Sequence, residues 1–528
     1  MKVHPLSTFL LAGLSSVAQQ VNGEVVTIHG SGTTNPSKCI WHIMSLFMER
    51  SLVATRLTYR AVGSSTGQME FLGVNNTDEN SGEDPFQHVP HTHFGAGDIP
   101  VPSAAYKALN DATNEGESNM LHLPFALSSI SFFHSIPGIP DNDKGLKLNS
   151  CLLARIFDGK ITRWDDPEIL ALNVSREGHL KEVASRTNSG IYVARRVHGS
   201  SSTASVTKYL HEACKNEWPK SKVGSELGAK GLDEWHVRTK PCEGSGGMTE
   251  CLKNNPGAIG YLDSGHGWSE GLAEVNLQNK DEYFLTSRYA RDNGGITSAA
   301  SFAMTPLRTD SDWGNVHYIN KDGMNTWPIV VMSYVYLRKD INLFVDDHVT
   351  RGLLKLFLES LYDDDYFGKC TDLGFSKPPK NIIDMAKDGL NNYDDNQGLQ
   401  WTFPVDFGQE NMWSFESKDK TRKIEGAGKY VVSGKRQSLN GLKIDEISGK
   451  ETELELEVKR LSAVLASMTS GEHDDHDDDR GHNSMKSGDS GQAQNALVLG
   501  AISFTLWICA ILGYLVQRFL CGGKALYE

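Results

Sequence analysis

Arg195-Arg196-Val197-His198-Gly199-Ser200-Ser201-Ser202-Thr203 closes a β-rich run, Ile191 to Ala194, and opens a helical pattern from Val206 to Cys214. Such a junction offers hydroxyls and glycine-freed backbone N–H groups at a helix N-terminus, where a chain can hold a tetrahedral anion. Three stretches upstream repeat it: Gly30-Ser31-Gly32-Thr33-Thr34-Asn35, Ala61-Val62-Gly63-Ser64-Ser65-Thr66-Gly67 and Phe94-Gly95-Ala96-Gly97-Asp98. One stretch adds an arginine and another a carboxylate. Around them, β-rich runs (Val25 to Ile28, Ile191 to Ala194, Ile329 to Met332) alternate with helical patterns such as Leu353 to Leu361. That alternation predicts an α/β fold from Glu24 to about Leu390.

The four stretches together suit one ligand chemistry. A site that holds hydrogen phosphate in preference to sulfate needs donors for most oxygens and an acceptor for the protonated one. Thr34 and Asn35 offer side-chain and backbone donors at the start of a helix running to Met48. Ser64 sits at a second strand-to-helix turn, with Gly63 and Gly67 keeping it open. Arg196 and Ser200, Ser201 and Ser202 form a third seat. Asp98, after an apolar run of small residues, reads as a buried acceptor that repels an ion with no proton to give.

In these stretches the chain resembles the phosphate-binding proteins of bacterial phosphate ABC transporters, the periplasmic PstS-type family. Gly159-Lys160-Ile161-Thr162-Arg163-Trp164-Asp165-Asp166, Gly257-Ala258-Ile259-Gly260-Tyr261 and Trp327-Pro328-Ile329 are further landmarks. The resemblance covers about Val25 to Leu390. It implies a two-lobed periplasmic-binding-protein fold of type II with two hinge crossings. One lobe would comprise about 24–127 and 265–390, the other about 128–264. It also implies a cleft that closes on its ligand, and phosphate contacts at Thr34, Asn35, Ser64, Asp98, Arg196, Ser200, Ser201 and Ser202. The chain departs from the family pattern at His198, usually acidic or polar, at Ser201, usually glycine, and at Asn35, usually aromatic. Residues 74–93 read as an insertion, and its His88, His91 and His93 are the one cluster there with metal-ligand character.

The remainder of the 528 residues places the chain in a cell. Residues 1–23 read as a signal peptide, with Lys2 ahead of an apolar run. Residues 496–516 are free of charge and long enough to span a bilayer. Arg518 and Lys524 beyond them predict a single-pass type I topology with a cytoplasmic tail, 517–528, and the bulk extracellular or luminal. Six cysteines precede that span: Cys39, Cys151, Cys214, Cys242, Cys251 and Cys370. They read as disulfides and allow fifteen pairings, Cys242 with Cys251 being the nearest in sequence. Asn75-Asn76-Thr77 and Asn173-Val174-Ser175 are glycosylation sequons.

Residues 391–450 read as a polar extension. In 451–468, Leu454, Val458, Leu461, Leu465 and Met468 alternate by four and three, which suits an amphipathic helix docked on the body or an oligomerising stalk. An acidic His/Asp-rich linker, 469–494, follows. The formal charge of −14 argues against nucleic acid as a partner.

The expected protein is therefore a non-enzymatic, membrane-anchored receptor for inorganic phosphate, serving uptake or sensing. It would take arsenate as an analogue, use no cofactor or metal, and meet a phosphate transporter or a signalling partner. Alternatives are a scaffold that keeps the fold without the ligand, and an ectophosphatase. With no Gly-x-x-x-x-Gly-Lys-Ser/Thr loop, the chain has no motif for powering transport.

Overall fold

The computed structural model describes residues 25–72, 92–111, 120–141, 144–186, 190–197, 200–224, 235–303, 305–345, 347–391, 399, 413–416, 430–433, 454, 457, 458 and 460–462. The strand-to-helix junctions lie where the sequence puts them. β1 (Val26–Gly32) leads into α1 (Ser37–Arg50), and β2 (Thr55–Ala61) into α2 (Ser64–Leu72). β3 (Phe94–Gly97) ends at Asp98, and β4 (Met120–His134) is fifteen residues long and buried throughout. After α3 (Ser150–Phe157), β5 (Tyr192–Arg196) leads into α4 (Ser201–Ala213). β6 (Thr239–Cys242), α5 (Gly244–Lys253), β7 (Ala258–Asp263) and α6 (Ser264–Ser269) follow. β8 (Ala273–Glu274), β9 (Tyr318–Ile319) and β10 (Ile329–Arg338) complete the main sheet, and α7 (His348–Ser360) and α8 (Asp364–Asp372) follow it.

The ten strands run in the order β2-β1-β3-β10-β4-β7-β5-β6, with β9 on β10 and β8 on β4. The two wings of this sheet are parallel: β2 and β3 flank β1, and β6 and β7 flank β5. β10 and β4 join the wings by antiparallel pairing. β4 crosses from one wing to the other. Its first part, Met120 to Ser129, pairs with β10, and Ile130 to His134 pair with β7. Parallel strands need helices on their faces and read as continuous apolar runs, as β7 does beside β5; β10, antiparallel but central in the sheet, is likewise buried along its whole length.

One core gathers Ile28, Ile40, Phe47, Phe94, Leu354 and Phe357 around the first wing. The other gathers Phe132, Phe157, Trp164, Tyr209, Tyr261 and Trp327. Both parallel wings turn their C-terminal strand ends toward one place, where open α/β sheets bind ligands.

Three disulfides pin these elements. Cys39–Cys370 ties α1 to α8 across 331 residues of sequence, Cys151–Cys214 ties α3 to the end of α4, and Cys242–Cys251 ties β6 to α5. The neighbouring pair expected from spacing is thus present, while the other two join residues brought close by the fold alone. The sequon at Asn173 differs from its sequence reading. Its amide is 3% exposed and hydrogen-bonded to Lys147 N, Lys147 O and Ile169 O, so a glycan there is incompatible with this fold.

In the extension, β11 (Trp413–Glu416) pairs in parallel with β12 (Tyr430–Ser433), against α7 and α1 respectively. A second compact unit begins at Lys443. In it Leu454, Val458 and Leu461 are helical and exposed. Among the described residues no helix is long and apolar enough to cross a membrane. The expected span 496–516, leader 1–23, linker 469–494 and tail 517–528 lie outside those residues, as do Asn75, His88, His91 and His198.

Candidate functional site

Asp98 is the centre of the site. It is 2% exposed, and its carboxylate accepts three hydroxyls from three parts of the chain: Thr33 Oγ1 at 2.5 Å, Ser201 Oγ at 3.2 Å and Ser333 Oγ at 2.6 Å. Its backbone N–H points to Ser64 Oγ at 3.4 Å. β1, α2, α4 and β10 therefore meet at one carboxylate. Burial first, then the charge of Asp263, push the Asp98 carboxyl up to about 6, against the three hydroxyl donors that pull it down.

The close approach of these elements depends on glycine. Gly32 has φ +152°, and a Cβ there would lie 1.9 Å from the Ala96 carbonyl oxygen. A Cβ on Gly67 would lie 2.2 Å from Gly32 Cα. The first turn of α2 thus packs directly on the end of β1, which brings Ser64 within reach of Asp98. Tyr59 braces the end of β1, donating its hydroxyl to Thr33 O at 2.8 Å.

The second wing supplies the cation and another helix start. Arg196 ends β5, is 7% exposed, and its Nε is buried without a hydrogen-bond partner. Its backbone N–H donates to the Tyr261 hydroxyl at 3.3 Å, and that hydroxyl shares a 2.7 Å bond with Thr203 Oγ1. Ser200 caps α4 by accepting from Thr203 N at 3.1 Å, while Ser201 and Ser202 occupy the first turn. Ser202 Oγ donates to Asp263 Oδ1 at 3.3 Å.

Ser64, Asp98, Ser200, Ser201 and Ser202 of the sequence-derived set are thus buried around this point with Arg196. Thr34 and Asn35 stand at the start of α1 and are half-buried. The Asn35 side chain donates to Ser128 Oγ at 2.8 Å and its backbone N–H to Thr33 Oγ1 at 3.4 Å, so the structure turns both toward protein partners. His93, set apart in the sequence as a metal-ligand candidate, accepts the His29 backbone N–H on Nδ1 at 2.9 Å.

Sequence reasoning missed Asp263, Ser245, Ser333 and the direct bond from Thr33. Asp263 had a signal. Gly257-Ala258-Ile259-Gly260-Tyr261 runs on into Leu262-Asp263-Ser264-Gly265, the same strand-end pattern as Phe94 to Asp98. Ser333 had none, because it lies inside β10 and meets Asp98 from 235 positions away. Beside the seat a cavity of about 260 Å³ is lined by Thr34, Asn35, Lys38, Ser245, Asp263 and His266, among others.

Three helix starts, a guanidinium with an unpartnered Nε and a buried carboxylate thus come together at one place. A family model described as a PBP superfamily domain matches residues 17–365. The phosphate-binding protein PstS of Haemophilus influenzae is 26% identical over 365 residues, covering 68% of this chain and 91% of that one. The chain belongs to the PstS-type phosphate-binding family. Another PstS-type relative, from Pasteurella multocida, is 25% identical over 59% of this chain and 76% of its own. Phosphate-binding protein PstS 3 of Mycobacterium leprae is 30% identical over 42% and 52%. A solved phosphate-binding protein from Stenotrophomonas maltophilia matches 71% of this chain and 100% of its own, at 15% identity and a TM-score of 0.47.

Proposed function

We propose that this PstS-type chain captures inorganic phosphate as a non-enzymatic receptor, held to a membrane by residues 496–516 with its bulk outside the cell or in a secretory lumen. The observation that carries the reading is the buried Asp98, an acceptor with three hydroxyl donors, set among anion-holding groups. A carboxylate in an anion seat works against a ligand without a proton and with one that has a proton to give. Thr34, Asn35, Ser64 and Ser200 to Ser202 would surround the oxygens, Arg196 would match the charge, and Asp98 would accept the remaining proton.

The relatives are named as phosphate-binding proteins, which supports the same ligand. Arsenate, protonated like phosphate, would share the seat. The anchored topology rests on the uncharged run 496–516 and the cations beyond it. Delivery to a transporter and reporting of phosphate level are both compatible with such a receptor. Calorimetry on phosphate-stripped full-length protein tests the reading: phosphate should bind with one-to-one stoichiometry, and a silent titration would end it.

A further inference from the structure

Asp263 is a second buried carboxylate at the seat, and the capture scheme above leaves it without a role. It ends β7 at 3% exposure. Its two oxygens accept from two helices: Ser202 Oγ of α4 to Oδ1 at 3.3 Å and Ser245 Oγ of α5 to Oδ2 at 3.2 Å. β7 is also the neighbour of β5, which ends at Arg196. Among the described residues no carboxylate reaches ion-pair distance of Arg196. Burial pushes the Asp263 carboxyl up, and the charge of Arg196 is the largest influence against that rise. A buried cation needs a counter-charge. One placed beyond contact supplies it without occupying the donors that a ligand requires.

We propose that Asp263 is a positioning residue of the seat. It is the counter-charge that lets Arg196 stay buried with its Nε unspent, it ties the first turns of α4 and α5 to the end of β7, and it stands beside Asp98, since the consecutive residues Ser201 and Ser202 donate their hydroxyls to the two carboxylates in turn. The ligand consequence rests on the phosphate reading; the carboxylate pair does not.

The groups facing Asp263 are Arg196 on β5, His266 on α6, the hydroxyls of Ser202 and Ser245, and Asp98 beyond β3; Lys38 of α1 lines the same cavity. Facing Asp98 are Asp263, the Tyr59 phenol on β2, and the hydroxyls of Thr33, Ser201 and Ser333. Asp98 can accept a proton from its ligand only while ionised, so capture weakens as pH falls through about 6. Removing the Asp263 charge moves that limit to lower pH.

The test is a carboxyl titration, by carbon-13 NMR, of full-length protein labelled at the aspartate side chains. The Asp98 signal is assigned by its disappearance in Asp98→Asn. In Asp263→Asn its midpoint should fall by about half a pH unit or more, and an unmoved midpoint overturns the proposal. The wild-type curve serves if that variant does not fold. Coupling to Asp263 should broaden it beyond a one-proton titration, and a simple one-proton curve also overturns the proposal. Phosphate calorimetry over the same pH range, run in parallel, should show its acid limit moving with the Asp98 midpoint. Wild-type silence there would sink the phosphate reading while the carboxyl titration still decides the pair.

Discussion

At Asp98 a single atom exchange tests the proposed choice between two ligands. Asp98→Asn keeps the shape but replaces one acceptor oxygen with a donor. We expect phosphate to weaken and sulfate to strengthen at pH 8, narrowing their ratio by at least about tenfold, as read by calorimetry; an unchanged ratio would show that Asp98 is not the proton acceptor. Arg196→Ala removes charge without regard to protonation, so both anions should weaken together. A loss confined to phosphate would contradict its assigned role. Residues such as these were legible in the sequence because each sits at a strand end flagged by glycine and hydroxyl neighbours. Ser333 and Thr33 were not assigned a bond to Asp98, because those bonds exist only once β10 and β1 have been brought beside it.

The element that matters most is the contact of α2 with β1. Gly67 lies where a methyl group would strike Gly32 Cα, so Gly67→Ala must push the helix outward. Overpacking of this kind costs about 1–3 kcal/mol. The variant should lose stability by that order in urea unfolding and bind phosphate more weakly, because Ser64 moves with the helix. Full affinity in a folded Gly67→Ala protein would remove α2 from the seat. Strands and helices here were readable from local pattern. Their order in the sheet was not, since β4 and β10 join the wings through pairings with no local signature. The disulfides divide likewise: the nine-residue Cys242–Cys251 separation is local, while Cys39–Cys370 is a product of the packed core around α1.

For the molecule as a whole, two histidines in β4 set a response to acid. Burial lowers His122 to about 3 and His134 to about 4. Both stay neutral in the fold and take up protons near 6.5 when unfolded, so their contribution is full above pH 6.5 and is lost as pH falls toward 4. Each such ring steepens the loss by roughly 1.4 kcal/mol per pH unit within that window. Asp98, raised by burial, acts in the opposite sense between its unfolded value and about 6. The comparison is therefore of slopes: urea-unfolding stability of a His122→Phe, His134→Asn protein should fall less steeply between pH 6.5 and 4 than wild type. Equal slopes would contradict the assignment.

The central claim is that the seat reads a proton on its ligand. The most direct measurement is the ratio of phosphate to sulfate affinity of the full-length, phosphate-stripped protein at pH 8, where Asp98 is ionised. A site built on that hydrogen bond should favour phosphate by roughly 10⁴ or more. Comparable affinity for the two anions would contradict the account.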